Sequence, residues 1–108
     1  MKNNLTKGAD VNATCGDDKL TSLQIASQKG QLYNIELLLA ANADFDSDTF
    51  KFSPLFLAAK SGCIECVKML LENGADVNSA TQQIKITPLY IAVDMGNIKI
   101  TKLLLEAG

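Results

Sequence analysis

A repeat of 32 to 34 residues constrains this chain more than any other feature. Thr21-Ser22-Leu23-Gln24-Ile25-Ala26 aligns with Ser53-Pro54-Leu55-Phe56-Leu57-Ala58 and with Thr87-Pro88-Leu89-Tyr90-Ile91-Ala92, at offsets 53 − 21 = 32 and 87 − 53 = 34. Gly30, Gly62 and Gly96 follow in phase. Then come the leucine-rich stretches Leu37-Leu38-Leu39, Met69-Leu70-Leu71 and Leu103-Leu104-Leu105. Another motif recurs as Gly8-Ala9-Asp10-Val11-Asn12, Asn42-Ala43-Asp44-Phe45-Asp46 and Gly74-Ala75-Asp76-Val77-Asn78, and its glycine slot reappears at Gly108. Four landmarks in phase mean stacked copies of one small unit, because a single unit cannot bury its apolar face alone.

Each unit reads as helix, turn, helix, loop. Thr21, Ser53 and Thr87 suit the N-cap, where a side-chain oxygen accepts an orphan backbone N–H. Pro54 and Pro88 suit the first helical position, where a missing N–H costs nothing. Ala26, Ala58, Ala59 and Ala92 let neighbouring first helices approach closely. The second helices carry apolar residues at helical spacing, with Leu32, Ile35, Leu38 and Leu39, then Ile64, Val67, Leu70 and Leu71. Gly74 ends one of them in a left-handed residue, and Asn42 takes the same slot one repeat earlier.

This pattern resembles the ankyrin repeat over nearly the whole chain, from about Leu5 to Gly108. The resemblance implies an all-α ankyrin-repeat solenoid of stacked helix-turn-helix pairs with β-turn finger loops. It divides a single domain, 1–108, into a remnant at 1–12 and repeats near 13–45, 46–77 and 78–108. One departure is systematic: the family's histidine slot holds Gln24, Phe56 and Tyr90. Thr21 and Gln24 have capping-box spacing, so Gln24 can partly substitute. Phe56 cannot, and Tyr90 keeps a hydroxyl whose partner the sequence leaves open. The finger between Asp46 and Ser53 is two residues shorter than those on either side.

Composition narrows function by exclusion. The chain has 108 residues, ten basic and twelve acidic, with net charge −2 and no histidine. All ten basic residues are lysine. Without histidine, Ser/His/Asp and Cys/His catalysis and His-ligated metal sites are ruled out. An acidic, arginine-free chain is a poor partner for nucleic acid. No apolar run approaches the ~20 residues of a membrane span. The expectation is a non-enzyme with no cofactor and no membrane insertion. Three cysteines, Cys15, Cys63 and Cys66, argue against a disulfide framework and for a reduced intracellular setting, cytoplasmic or nuclear, with a secreted effector as the alternative.

Two short constellations offer residues with chemistry. Cys63-x-x-Cys66 at a helix start permits a redox or metal-linked module, but lacks a βαβ setting and a second ligand pair. Its plainer reading is that Cys66 packs in the slot of Ile100. Asp44-x-Asp46-x-Asp48 offers three calcium-loop positions, but Thr49 and Leu55 stand where glycine and glutamate are needed.

The fingers carry the binding expectation. Phe50 and Phe52 alternate with polar residues, as do Ile84 and Ile86, which fits hairpin arms and one apolar ridge. Phe50 and Ile84 are expected to be partner anchors, whereas Leu20, Phe52 and Ile86 can equally pack against a neighbouring finger. The resemblance adds that partners bind the fingers and the concave face of the first helices. The candidates are Asp17, Asp18 and Leu20, then Thr49, Phe50 and Phe52, then Gln83, Ile84 and Ile86, with Lys60 and Met95 from the helices. The function so implied is a non-catalytic protein–protein interaction module, with a structural spacer in a longer array as its alternative. The last helix looks internal to an array, so Ile98, Ile100 and Leu104 are expected to form a face for self-association or further repeats. The more polar first unit, with Gln24, Gln28, Gln31 and Asn34, is expected to act as an imperfect cap.

Overall fold

The computed structural model describes residues 9–46, 50–80 and 85–107. Six helices follow in order: α1 (Ser22–Gln28), α2 (Leu32–Ala40), α3 (Pro54–Ser61), α4 (Ile64–Glu72), α5 (Pro88–Asp94) and α6 (Ile98–Ala107). They form two layers. In the inner layer α3 packs between α1 and α5, and in the outer layer α4 packs between α2 and α6. The stack is elongated, 45 × 27 × 21 Å.

Local chemistry sets the start of each inner helix. The Oγ atoms of Thr21, Ser53 and Thr87 accept the amides of Gln24, Phe56 and Tyr90 at 3.2, 3.1 and 3.2 Å. Pro54 and Pro88 occupy the first turns as expected. The α2 end depends on a positive φ: Asn42 adopts +65°, and Gly74 adopts +99° in the same slot after α4. The chain then closes back through the amides of Ala43 and Ala75 onto Leu38 and Leu70, both at 3.0 Å.

The core is one continuous stack. Leu23, Ile35, Leu55, Val67, Leu70, Ile100 and Leu104 are almost wholly buried, with Ala58, Ala59 and Ala92 where the inner helices meet. Fully burying one such aliphatic side chain stabilises by about 1.5–3 kcal/mol. The middle inner helix has neighbours on both sides, so every residue from Pro54 to Ala59 is buried. On α5 only Pro88, Ile91 and Ala92 are.

Polar side chains join successive repeats. Asn12 Oδ1 accepts the Asp44 amide at 2.9 Å, and the Asp46 carboxylate accepts the Asp76 amide at 3.2 and 3.3 Å. Ser53 and Ser79 share a hydroxyl hydrogen bond of 3.0 Å. Partial burial raises the Asp46 carboxyl above its ordinary value; the Asp76 amide draws it back, and the Asp76 carboxylate pushes it up again.

Three expectations need correction here. Ile100 and Leu104 point into the core, so they form no exposed C-terminal face; of that trio only Ile98 is exposed. The helix phase decides this, because residues four apart share the face that α4 covers. Gln24 does not cap the array from outside, since it is 1% exposed within the first junction. Cys63 and Cys66 are joined as a disulfide, with Cα atoms 5.3 Å apart, and Cys15 remains free and exposed. One helical turn brings the two sulfurs together without any wider framework, which the odd count did not anticipate.

Candidate protein-binding groove

The fingers differ from one another. In the first, β1 (Thr14–Cys15) pairs antiparallel with β2 (Leu20–Thr21), Thr14 opposite Thr21 and Cys15 opposite Leu20. Gly16 and Lys19 take positive φ in its turn. Among the described residues of the second and third fingers no strand pair forms. Asp48, Thr49, Gln83 and Ile84 lie outside the described residues.

Phe50 is not an exposed anchor. It is 8% exposed, because a phenyl ring on a short finger loses more by staying in water than by folding back. Phe52 is half-buried and packs against the core. Its ring stacks on Phe56, centroids 5.1 Å apart and planes 17° from parallel. Lys51 Nζ lies 5.8 Å from the Phe52 ring centre, within cation–π range.

These residues line a cavity of about 150 Å³ between the first two fingers and the inner helices. Asp18 and Leu20 come from the first finger, Gln28 from the end of α1, Lys51 and Phe52 from the second finger, and Phe56, Leu57 and Lys60 from α3. The lining combines aromatic and aliphatic side chains with one carboxylate, Asp18, and two ammonium groups, Lys51 and Lys60. Four candidates from the sequence, Asp18, Leu20, Phe52 and Lys60, meet here. Asp17, Ile86 and Met95 are exposed but line no part of it.

Phe56 and Leu57 were absent from the candidates. For Phe56 the signal was present in the sequence as the departure at the histidine slot. Gln24 shows what that slot does when it stays polar: its Oε1 accepts the Thr21 amide at 2.8 Å, and its Nε2 donates to the Phe52 carbonyl at 2.8 Å. The capping box is thus complete, and the same amide fixes the backbone that carries the Phe52 ring. In the next repeat Phe56 gives up that clamp and supplies a ring to the groove.

Both ends of the stack leave apolar side chains uncovered among the described residues. An open cavity of about 610 Å³ at the α1–α2 end includes Ile25, Ala26, Leu37 and Leu38, with Gln31 and Asn34 beside them. At the other end Tyr90 and Val93 are 59% and 60% exposed, although their counterparts Phe56 and Ala59 are buried. Among the described residues no helix is long and apolar enough to cross a membrane, and no group of three or more His, Cys, Asp or Glu side chains is placed to hold a metal ion.

Stacked helix pairs, fingers and in-phase caps define a repeat solenoid of the kind that presents a continuous surface to other molecules. The family model "Ankyrin repeats (3 copies)" matches residues 1–81 and "Ankyrin repeat" matches 85–108, so the chain belongs to the ankyrin repeat family. Members of this family are generally protein–protein interaction modules and typically non-catalytic. The chain is 39% identical over 59 residues to the Bos taurus "Ankyrin repeat and SOCS box protein 5", covering 55% of this chain and 18% of that protein. It is 41% identical over 61 residues to the Oryza sativa subsp. japonica "Probable E3 ubiquitin-protein ligase XBOS31", covering 56% of this chain and 14% of that protein. It is 34% identical over 82 residues to "Delta-latroinsectotoxin-Lt1a" of Latrodectus tredecimguttatus, covering 73% of this chain and 7% of that protein. The chain thus spans less than a fifth of the length of each of these relatives.

Proposed function

We propose that this chain is a non-catalytic module that binds a protein partner through the groove between its first two fingers. The observation behind this reading is the stacked Phe52–Phe56 pair lining one cavity with Asp18, Lys51 and Lys60. The pre-formed rings lose little conformational freedom when a partner side chain lands on them. Lys60 and Asp18 in the lining would fix the partner's direction through their opposite charges. Asp17, Ile86 and Met95 contribute at the margin, and repeats near 13–45, 46–77 and 78–108 act as one unit.

The test pans a phage-displayed random peptide library against the intact chain and measures the Kd of a selected peptide. Lys60→Glu should weaken binding by about 10-fold, the equivalent of ~1.4 kcal/mol. Asp17→Ala should leave it within about 2-fold, as expected for a residue outside the binding centre. An unchanged Kd in Lys60→Glu with a large loss in Met95→Ala would move the site to α5 and overturn the reading.

A second reading has its own support, since Tyr90 and Val93 are exposed where the preceding repeat buries Phe56 and Ala59. That end would then stack against a further helix pair, and the chain would serve as a segment of a longer array. Sedimentation across a range of concentrations separates the cases. Association that disappears in Tyr90→Ser/Val93→Ser favours this reading, and a concentration-independent monomer argues against an end that seeks a partner.

A further inference from the structure

The outer helices begin on three different residues. Gln31 makes no side-chain cap to α2, and Asn97 Oδ1 caps α6 by accepting the Ile100 amide at 3.0 Å. At α4 the N-cap is Cys63, whose sulfur takes the Cys66 amide at 3.3 Å. The residue three positions on, which the amide identifies, is itself a cysteine, and its sulfur is bonded to that of Cys63.

The two sulfurs differ in access. Cys66 is wholly buried among Val67, Leu70 and the rest of the core. Cys63 is half-exposed on the turn that leads into α4. The Cys66 amide, in the first turn of this nine-residue helix, faces the Cys63 sulfur, and a helix N-terminus is in general a setting that suits a nucleophilic sulfur. A capping thiolate is also a stronger acceptor for the Cys66 amide than a neutral thiol. Cys63 is thus the more accessible of the two, partly exposed at the edge of the core, while Cys66 lies wholly within it.

We propose that Cys63 and Cys66 form a reversible dithiol–disulfide site that exchanges with small-molecule disulfides, Cys63 attacking and Cys66 resolving. In the first step the Cys63 thiolate attacks one sulfur of an external disulfide. A Cys63 mixed disulfide forms, and the external S–S bond breaks to release one thiolate. In the second step Cys66 loses its proton and attacks the Cys63 sulfur, expelling the second thiolate. The protein gives up two electrons and two protons, and the external disulfide becomes two thiols. The reverse sequence reduces the site again.

The test uses the full chain with Cys15→Ser, equilibrated in oxidised and reduced glutathione at varied ratios. Free thiols are then trapped with N-ethylmaleimide in denaturant, so that the buried Cys66 is reached, and intact masses are read. The expected result is one transition, from two maleimide adducts to none, with no glutathione retained at the oxidised end. Under brief exposure to limiting oxidised glutathione, peptide mapping should find the mixed disulfide on Cys63 at least about 10-fold more often than on Cys66. This second readout uses the two native sulfurs and does not depend on a core substitution. In Cys66→Val the glutathione adduct on Cys63 should accumulate and persist. Two maleimide adducts at every ratio would overturn the proposal, as would stable glutathione on the oxidised dithiol protein or equal labelling of the two cysteines.

Discussion

Gln24 and Phe56 occupy the same slot of successive repeats, three residues after an N-cap, and face the same kind of junction. The first repeat fills it with a buried amide that holds Thr21 on one side and the Phe52 carbonyl on the other. The second fills it with a ring stacked on Phe52. The contrast extends to the next helical turn, where Ser27 in the first repeat matches Ala59 in the second, and both are fully buried. The cap itself survives in both, since Thr21 and Ser53 supply the oxygen. The backbone of the unit therefore needs the cap, whereas the side chain in the slot is free to become a clamp or part of a surface. The clamp of one repeat also supports the groove of the next, because Gln24 holds the segment that carries Phe52.

The comparison can be broken at either slot. Phe56→Ala should cost most, about 3–5 kcal/mol in denaturant unfolding, as it opens a cavity in the core and removes the ring stacked on Phe52. Gln24→Leu should cost less, about 1–3 kcal/mol, since the fold keeps its packing but leaves the Thr21 amide and Phe52 carbonyl without this partner. A larger loss in Gln24→Leu than in Phe56→Ala would mean that the polar clamp, not the apolar stack, dominates the junction.

Ser27→Ala sharpens the contrast in the opposite direction. Ser27 Oγ is buried without a hydrogen-bond partner, so giving the first repeat the second repeat's alanine should stabilise by about 1 kcal/mol, read as a rise in the unfolding midpoint. A loss of stability would show that the hydroxyl has a role that its surroundings do not reveal.

The smallest effect belongs to Asp46. Asn12 occupies its slot one repeat earlier and makes the equivalent bond, so Asp46→Asn keeps an acceptor for the Asp76 amide and removes a charge. A carboxyl raised in the folded state binds its proton more readily there than in the unfolded chain. Its contribution to stability therefore falls as pH rises from the ordinary carboxylate value through the raised one, and returns on acidification. Asp46→Asn should stabilise slightly at neutral pH, a gain that fades as the pH falls through the raised value and is gone below the ordinary carboxylate range. A gain that grew on acidification would reverse the assigned direction.

What could be read from the sequence follows the same division. The caps at Thr21, Ser53 and Thr87, the left-handed Asn42 and the Gln24 capping box were legible because each is a local rule with a fixed spacing. Phe50 was not, because alternation along a short finger says nothing about which way that finger folds back. Ile98 and Ile100 needed the phase of α6 against α4, which two residues of spacing decide and composition does not. The Cys63–Cys66 pair was legible as a redox candidate from its spacing, but the bridge itself was not, because counting cysteines tests for a framework and not for a bond across one helical turn. The groove was half legible: Asp18, Leu20, Phe52 and Lys60 were candidates by position, but Phe56 was marked only as a lost histidine.

The claim that the Phe52–Phe56 groove is the binding surface is tested most directly by amide NMR of the labelled chain, titrated with a library-selected peptide. The account predicts that the largest shifts fall on Asp18, Leu20, Phe52, Leu57 and Lys60, and that they vanish in Lys60→Glu. Shifts concentrated on α2, α4 and α6, or on Tyr90 and Val93 at the open end, would contradict it.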